Sequence, residues 1–269
     1  MTAPVVCLVD GEPVDSLPTS DSSIIRGDGC FEAVRSYGGN LFRLDDHLDR
    51  LEFSAAALGL VVPSRDSLYA WTSAVVSGRD DCVVRIILTR GAAVPGAEGP
   101  GRCVVMSHPL PPSPGPLRLL PVAAPWHPAG RRWQLAGVKT ISYAPNLAAS
   151  RQAGVAGFDD ALLISDDAIV LEGPTFSVGW IQGGTIYTPS LELGILASIT
   201  RRVVMEVTEV KETVADLDVV VDADEVFVMS TLKEVTPVTA LGDRAFAVGS
   251  RTRELRQRVK LVVETMTPH

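Results

Sequence analysis

The chain has 269 residues, 46% of them hydrophobic and 21% charged, with a formal net charge of −8. No apolar run approaches the ~20 residues that a bilayer-crossing helix needs, so a helical membrane protein is excluded. The acidic balance, with arginines dispersed among carboxylates, offers no basic face to a phosphate backbone and excludes a nucleic-acid partner. The start "MTAPVVCLVDGEPVDS" lacks a basic region followed by an apolar core and cleavage site, so the expected compartment is the cytoplasm. Cys7, Cys30, Cys82 and Cys103 show no CxxC spacing and read as buried thiols. His47, His108, His127 and His269 show no metal-ligand spacing, so no metal is expected.

In chain order, Asp10-Gly11 suits a tight turn between two short apolar runs, which predicts a first hairpin. Gly38-Gly39, inside "CFEAVRSYGGNLFRL", predicts a second. Leu44, Leu48, Leu51, Ala55 and Leu58 recur at helical spacing behind Asp45 and Asp46, where the helix dipole favours acidic groups; a helix is predicted over about 44–59. "DCVVRIILTRG" and "GRCVVMSHPL" read as β-branched strands around the loop "GAAVPGAEGPG". The proline cluster over 109–116 is the best boundary, giving an N-terminal α+β domain over 1–110, a linker over 111–116 and a second domain over 117–269. In the second half "LRLLPVA" reads as a strand, and "DDALLISDDAIVLEG" and "SVGWIQGGTIYTP" as strand pairs. "SITRRVVMEVTE", with Ser198 as N-cap, and "SRTRELRQRVKLVVETM" read as helices. Neither half alternates strand and helix as a parallel doubly wound sheet does, and no glycine-rich dinucleotide fingerprint is present, so the expected fold class is α+β.

Lysine is scarce: Lys139, Lys211, Lys233 and Lys260 stand against twenty arginines. A primary amine does what guanidinium does not, forming a Schiff base with a carbonyl and releasing a proton when desolvated. Lys139 sits among Ala136, Gly137, Val138 and Ile141, an apolar setting that disfavours its charged form. The competing reading is a strand-end lysine in solvent. No GxSxG elbow supports a serine hydrolase, and no Walker-type loop competes for phosphate.

"RGDGCFEAVRSYGGNLFRLDDHLDRLEFSAAALGL", "VKTISYAPNLAASRQAG", "FDDALLISDDAIVLEGPTFSVGWI", "LGILASITRRVV" and "DEVFVMSTLKEVTPV" stand in that order along the chain. Together they resemble the class IV aminotransferases, the fold type IV family of pyridoxal 5′-phosphate (PLP) enzymes, over roughly residues 24–240. The resemblance implies a smaller N-terminal α/β domain and a larger, PLP-binding C-terminal α/β domain with a β-barrel-like core, in a homodimer. It implies that Lys139 holds the cofactor and moves the proton between Cα and C4′. Glu172 then keeps the pyridine nitrogen protonated, and Tyr143 contacts the phenolic oxygen. Arg50, the backbone N–H groups of Ile199 and Thr200, and the Thr231 hydroxyl hold the phosphate. For each the sequence leaves a plain alternative: Glu172 an exposed turn glutamate, Tyr143 a core tyrosine, Arg50 a surface partner for Asp46 one helical turn back.

Three subgroups share this scaffold: branched-chain aminotransferases, D-amino-acid aminotransferases and aminodeoxychorismate lyases. The D-amino-acid enzymes carry an Arg-x-His element where this chain runs "AAVPGAEGPG". Either another arginine therefore holds the substrate carboxylate, with Arg26, Arg35, Arg85 and Arg90 as candidates, or the pocket accepts donors without one, amines among them. "CFEAVR" has the aminotransferase form rather than the lyase form. Pro174, Phe176 and Ser177 depart from residues common in the family, so the pocket shape is expected to differ. The expected activity is D-amino-acid-aminotransferase-like, passing an amino group from a small-molecule donor to a 2-oxo acid through pyridoxamine phosphate. The alternatives are a lyase releasing pyruvate and 4-aminobenzoate, and a branched-chain L-amino-acid aminotransferase.

Overall fold

β-Branched runs and apolar helix faces sort into two compact units in the computed structural model, which describes residues 6–92, 99–113 and 115–266. One unit is Met1–Pro111 with Val138–Tyr143 and Thr265–His269; the other is Pro112–Gly137 with Ala144–Glu264. The division therefore differs from a single cut at the proline cluster, because six residues around Lys139 return to the first unit. Residues 93–98 of the loop and Pro114 of the linker lie outside the described residues.

The first unit contains β1 (Val6–Val9), α1 (Ser22–Arg26), β2 (Gly29–Tyr37), β3 (Asn40–Leu41), α2 (Leu44–Leu58), α3 (Arg65–Val76), β4 (Cys82–Thr89) and β5 (Cys103–Pro109). Its antiparallel sheet has the order β1-β5-β4-β2-β3. The turn at Asp10-Gly11 forms, with reciprocal backbone bonds between Val9 and Glu12, but the expected hairpin does not. β1 pairs instead with β5, far along the chain. The second hairpin, β2 with β3, is as read. α2 matches its prediction and ends one residue early, at Gly59, whose φ of 65° closes the helix.

Along β2 the pleat alternates: Cys30, Glu32, Val34 and Ser36 are buried, while Phe31, Ala33 and Arg35 face the other way. Cys30 and Val34 pack with Leu48, Leu51 and Ala55 of α2, Leu68 and Val75 of α3, and Ile86 and Val105 of the sheet. Each fully buried leucine contributes about 1.5–3 kcal/mol. Glu32, on the same face and fully buried, is therefore a carboxylate in an apolar layer.

The second unit contains β6 (Leu117–Ala123), α4 (Ala144–Val155), β7 (Asp160–Ile164), β8 (Ser177–Gln182), β9 (Thr185–Pro189), α5 (Ile199–Val207), β10 (Lys211–Thr213), α6 (Leu217–Val221), β11 (Glu225–Ser230), β12 (Glu234–Leu241), β13 (Arg244–Ala245) and α7 (Ser250–Met266). Its sheet runs β10-β9-β8-β11-β12-β6-β7, with β13 against β12. The pairs β10–β9, β12–β6 and β6–β7 are parallel and the others antiparallel. Both faces are covered. Leu162 of β7 joins Leu119, Trp180 and Val228 on one side, while Ala161 and Leu163 meet Ala149 and Ala153 of α4 on the other.

α4 has no expectation behind it in the sequence. Its buried face consists of Ala149 and Ala153, too small to stand out as an apolar period. Of the expected strand pair over 159–173, only β7 is a strand; its return is a run of single bridges ending at the backbone bond from Leu163 N–H to Glu172 O.

Candidate active site

Lys139 owes its position to the edge of β2. Phe31 N–H donates to Lys139 O at 3.0 Å, Ile141 N–H donates to Gly29 O at 3.0 Å, and Cys30 bridges Thr140. Gly29 is required by this close approach, since a Cβ there would lie 2.3 Å from Leu88 O and 2.9 Å from Ile141 Cδ1. The backbone N–H of Lys139 donates to the buried Ser54 hydroxyl of α2 at 3.1 Å. Its amine lies 4.5 Å from the Phe31 ring centroid and 5.9 Å from that of Tyr143. The two rings meet edge-on at 5.4 Å. Both Lys139 and Tyr143 are partly buried, with the amine set beside the two rings.

The other lysines are placed differently. Lys211 and Lys260 are exposed. Lys233 donates to Thr175 Oγ1 at 2.8 Å and lies 4.0 Å from Asp160; burial lowers its pKa against the pull of that carboxylate.

Arg50 is buried and its guanidinium is bonded to Glu32. Its Nε and Nη2 donate to the two Glu32 oxygens at 2.8 and 2.7 Å, a bidentate fork. Asp46 lies 3.5 Å from Arg43. His47 Nδ1 lies 2.7 Å from Glu32 Oε2 and is itself buried. Burial alone would raise the Glu32 pKa; the charge and hydrogen bond of Arg50, with the hydrogen bond from His47, outweigh it and bring the carboxyl down to about 2. Neither Glu32 nor His47 was singled out from the sequence. The signal was present for both: Glu32 has the core-facing parity of β2, and His47 lies three residues before Arg50 on the buried face of α2.

Arg85 of β4 stands at 5.8 Å from the same Phe31 ring that carries Lys139. His108 Nδ1 lies 2.9 Å from the Pro109 carbonyl and so carries the proton, leaving Nε2 to accept the Arg85 Nε–H at 3.2 Å. Among the described residues Arg85 has no carboxylate partner. Arg90, by contrast, is forked onto Asp28 and bonded to the Leu58 and Gly59 carbonyls. Arg35 lies 3.6 Å from Asp81 and over the Tyr37 ring, and Arg26 ends α1 in solvent.

In the second unit Glu172 is largely buried, not an open turn residue. Its Oε2 accepts the Leu196 N–H at 3.1 Å. His127 Nδ1 accepts the Ala129 N–H at 3.1 Å, so its proton sits on Nε2, 3.5 Å from Glu172 Oε1. Gly173 follows because a Cβ there would meet the Phe176 ring at 2.1 Å. Ser198 caps α5 as expected, its hydroxyl accepting the Arg201 N–H at 3.3 Å. Ile199 and Thr200, both buried, begin that helix, whose first N–H groups favour an anion. Arg201 beside them is committed to Glu212 and the Pro189 carbonyl. Thr231 stands in the turn between β11 and β12.

The first unit thus holds a primary amine beside two aromatic rings and a buried guanidinium, and the second a capped helix start. The family model for amino-transferase class IV matches residues 29–241. The chain is a class IV aminotransferase. A Methanocaldococcus jannaschii protein named as a branched-chain-amino-acid aminotransferase is 31% identical over 265 residues, covering 89% of this chain and 88% of that one. The D-alanine aminotransferase of Listeria innocua is 30% identical over 249 residues, covering 84% and 82%. The fold IV-transaminase of Curtobacterium pusillum superposes with a TM-score of 0.87 at 28% identity, covering 95% and 99%. This aminotransferase is thus a PLP-dependent transaminase of fold type IV. Among its described residues no helix is long and apolar enough to cross a membrane, and no group of His, Cys, Asp and Glu could hold a metal ion.

Proposed function

We propose that this aminotransferase is D-amino-acid-aminotransferase-like, with relaxed substrate choice, and that Arg85 binds the substrate carboxylate. The observation that carries the reading is Arg85 itself: a guanidinium without a carboxylate partner among the described residues, set by His108 against the ring that also carries Lys139. A carboxylate takes an arginine fork in two parallel bonds, which fixes the orientation of Cα as well as adding affinity. The loop "AAVPGAEGPG" supplies no competing cation.

PLP, when bound, supplies an electron sink for the pair left on the substrate Cα. In this proposal Lys139 would hold the cofactor, and its amine would take up and return the proton at the substrate Cα. Phe31 and Tyr143 confine its amine, and the Tyr143 hydroxyl serves the cofactor's phenolic oxygen. Glu172, fixed by Leu196 N–H and facing His127, keeps the pyridine nitrogen protonated. Arg50, the N–H groups of Ile199 and Thr200, and the Thr231 hydroxyl hold the phosphate. The homodimer usual in the family is part of the same proposal.

The test is a panel of D-amino acids, L-amino acids and amines offered to the yellow enzyme without a 2-oxo acid. Bleaching of the visible absorbance by D-amino acids, and its recovery with 2-oxoglutarate, is expected. Arg85→Met should raise KM for carboxylate-bearing donors on the order of tenfold or more, while amines lacking a carboxylate are unaffected. Bleaching by branched-chain L-amino acids alone would assign the enzyme to that subgroup. Pyruvate release from 4-amino-4-deoxychorismate, with no donor bleaching the cofactor, would make it the lyase.

A further inference from the structure

We propose that His47 is the proton-coupled counter-charge of the Arg50 site, taking up a proton from solvent when a phosphate dianion binds there. The inference rests on the reading that Arg50 meets the cofactor's phosphate, and it concerns what the chain must do to accept that charge.

The argument begins with a charge count. Arg50 carries +1, but its fork is closed on the buried carboxylate of Glu32, so the pair presents no net charge. A dianion arriving at Arg50 enters a low-dielectric region whose cation is already neutralised. Burying an uncompensated charge is costly, and the remedy is a further positive charge nearby. His47 is placed to supply it, because it sits on the same carboxylate, one helical turn before Arg50.

Proton bookkeeping on the ring follows from Glu32. An ionised carboxylate only accepts, so the Nδ1 facing it at 2.7 Å carries the ring's proton. In the neutral ring Nε2 is then a bare acceptor, and among the described residues it is buried without a hydrogen-bond partner. Adding a proton at Nε2 keeps the Glu32 bond, converts the unmatched acceptor to a donor and gives the triad a net +1. What opposes this without an anion is burial, then the positive charges of Arg50 on α2 and Lys139 on the returning segment. Against the pull of Glu32 on β2 these hold the His47 pKa below its ordinary value. A bound dianion reverses the balance.

The experiment uses cofactor-stripped full-length protein and pyridoxine 5′-phosphate, which has the phosphate but no aldehyde for Lys139. A phosphate monoester has its second pKa near 6, so between pH 7 and 8.5 the ligand's own phosphate is already a dianion. Proton uptake is measured by titration calorimetry in buffers of different ionisation heat, for the parent and for His47→Asn, whose amide retains a donor for Glu32. The parent should take up close to one proton more than the variant. Its affinity should fall towards the linkage limit of about tenfold per pH unit across that window, more steeply than the variant's. Independently, 15N-labelled histidine in the unmutated chain should show the His47 ring passing from the neutral Nδ1–H form to the imidazolium on ligand binding.

Equal proton uptake in parent and variant, or a His47 ring that stays neutral at saturation, would overturn the proposal. Arg50→Lys separates that failure from failure of the underlying reading. If Arg50→Lys loses affinity for pyridoxine phosphate but not for pyridoxine while His47 stays neutral, the His47 proposal alone is wrong. If it binds both ligands as the parent does, the phosphate is not at Arg50.

Discussion

Glu32→Gln removes one negative charge from the centre of the first unit while keeping the shape of the side chain. In the folded protein three charge-assisted or buried hydrogen bonds converge on that carboxylate, at 2.8, 2.7 and 2.7 Å. Its pKa falls from the usual 4.5 to about 2, and at about 1.4 kcal/mol per unit the ionised form gains roughly 3 kcal/mol of stability. A second route gives the same size: removing one partner of a buried ion pair costs about 3–5 kcal/mol, because the Arg50 charge is left uncompensated. Since the folded pKa is depressed, this contribution is complete above pH 4.5 and is lost as pH falls through the folded value near 2. The assay is urea unfolding of parent and Glu32→Gln at pH 7, 5 and 3.5. A loss of about 3 kcal/mol is expected at pH 7 and 5, shrinking at pH 3.5. A loss below about 1 kcal/mol at pH 7, or one that does not shrink on acidification, would refute the account of Glu32 as an ionised partner of Arg50.

Borohydride reduction of the yellow enzyme should fix the cofactor to the peptide containing Lys139; mass spectrometry finding it on Lys211, Lys233 or Lys260 would remove Lys139 from its role. Glu172→Gln keeps size but not charge, so single-turnover conversion of the cofactor should slow on the order of ten- to a hundredfold with PLP content unchanged; a variant as fast as the parent would return Glu172 to a structural role. Glu225 accepts Arg251 N–H, Thr252 N–H and the Thr252 hydroxyl at 3.2, 2.8 and 2.6 Å, closing the start of α7. Glu225→Ala should therefore lower unfolding free energy by about 2 kcal/mol with kcat unchanged, and an unaltered urea midpoint would count against the cap. His108→Phe should raise KM for carboxylate-bearing donors in the same direction as Arg85→Met but by less, since the cation stays and only its orientation is released; equal KM values would dismiss His108 as the residue that sets Arg85.

What the sequence determined by itself is what depends on neighbours three or four residues away. The helix at Leu44–Leu58, the Ser198 cap and the Gly38-Gly39 turn follow from local periodicity, capping and positive-φ chemistry. The choice of Lys139 over the other lysines followed from what an amine does and from motif order. Tertiary structure decided what depends on pairing across long separations. β1 left its expected hairpin for β5, where Cys7 pairs with Met106 and Val9 with Val104, because a strand edge pairs with whatever the packed layers bring beside it. Val138–Tyr143 returned to β2, which set the Lys139 amine over Phe31. Sequence spacing offered Asp46 as the partner of Arg50, and the fold brings the buried Glu32 of β2 onto its guanidinium. A bidentate bond in the buried layer is worth more than a screened pair at the surface, and a carboxylate on the core face of β2 could not have been buried without it.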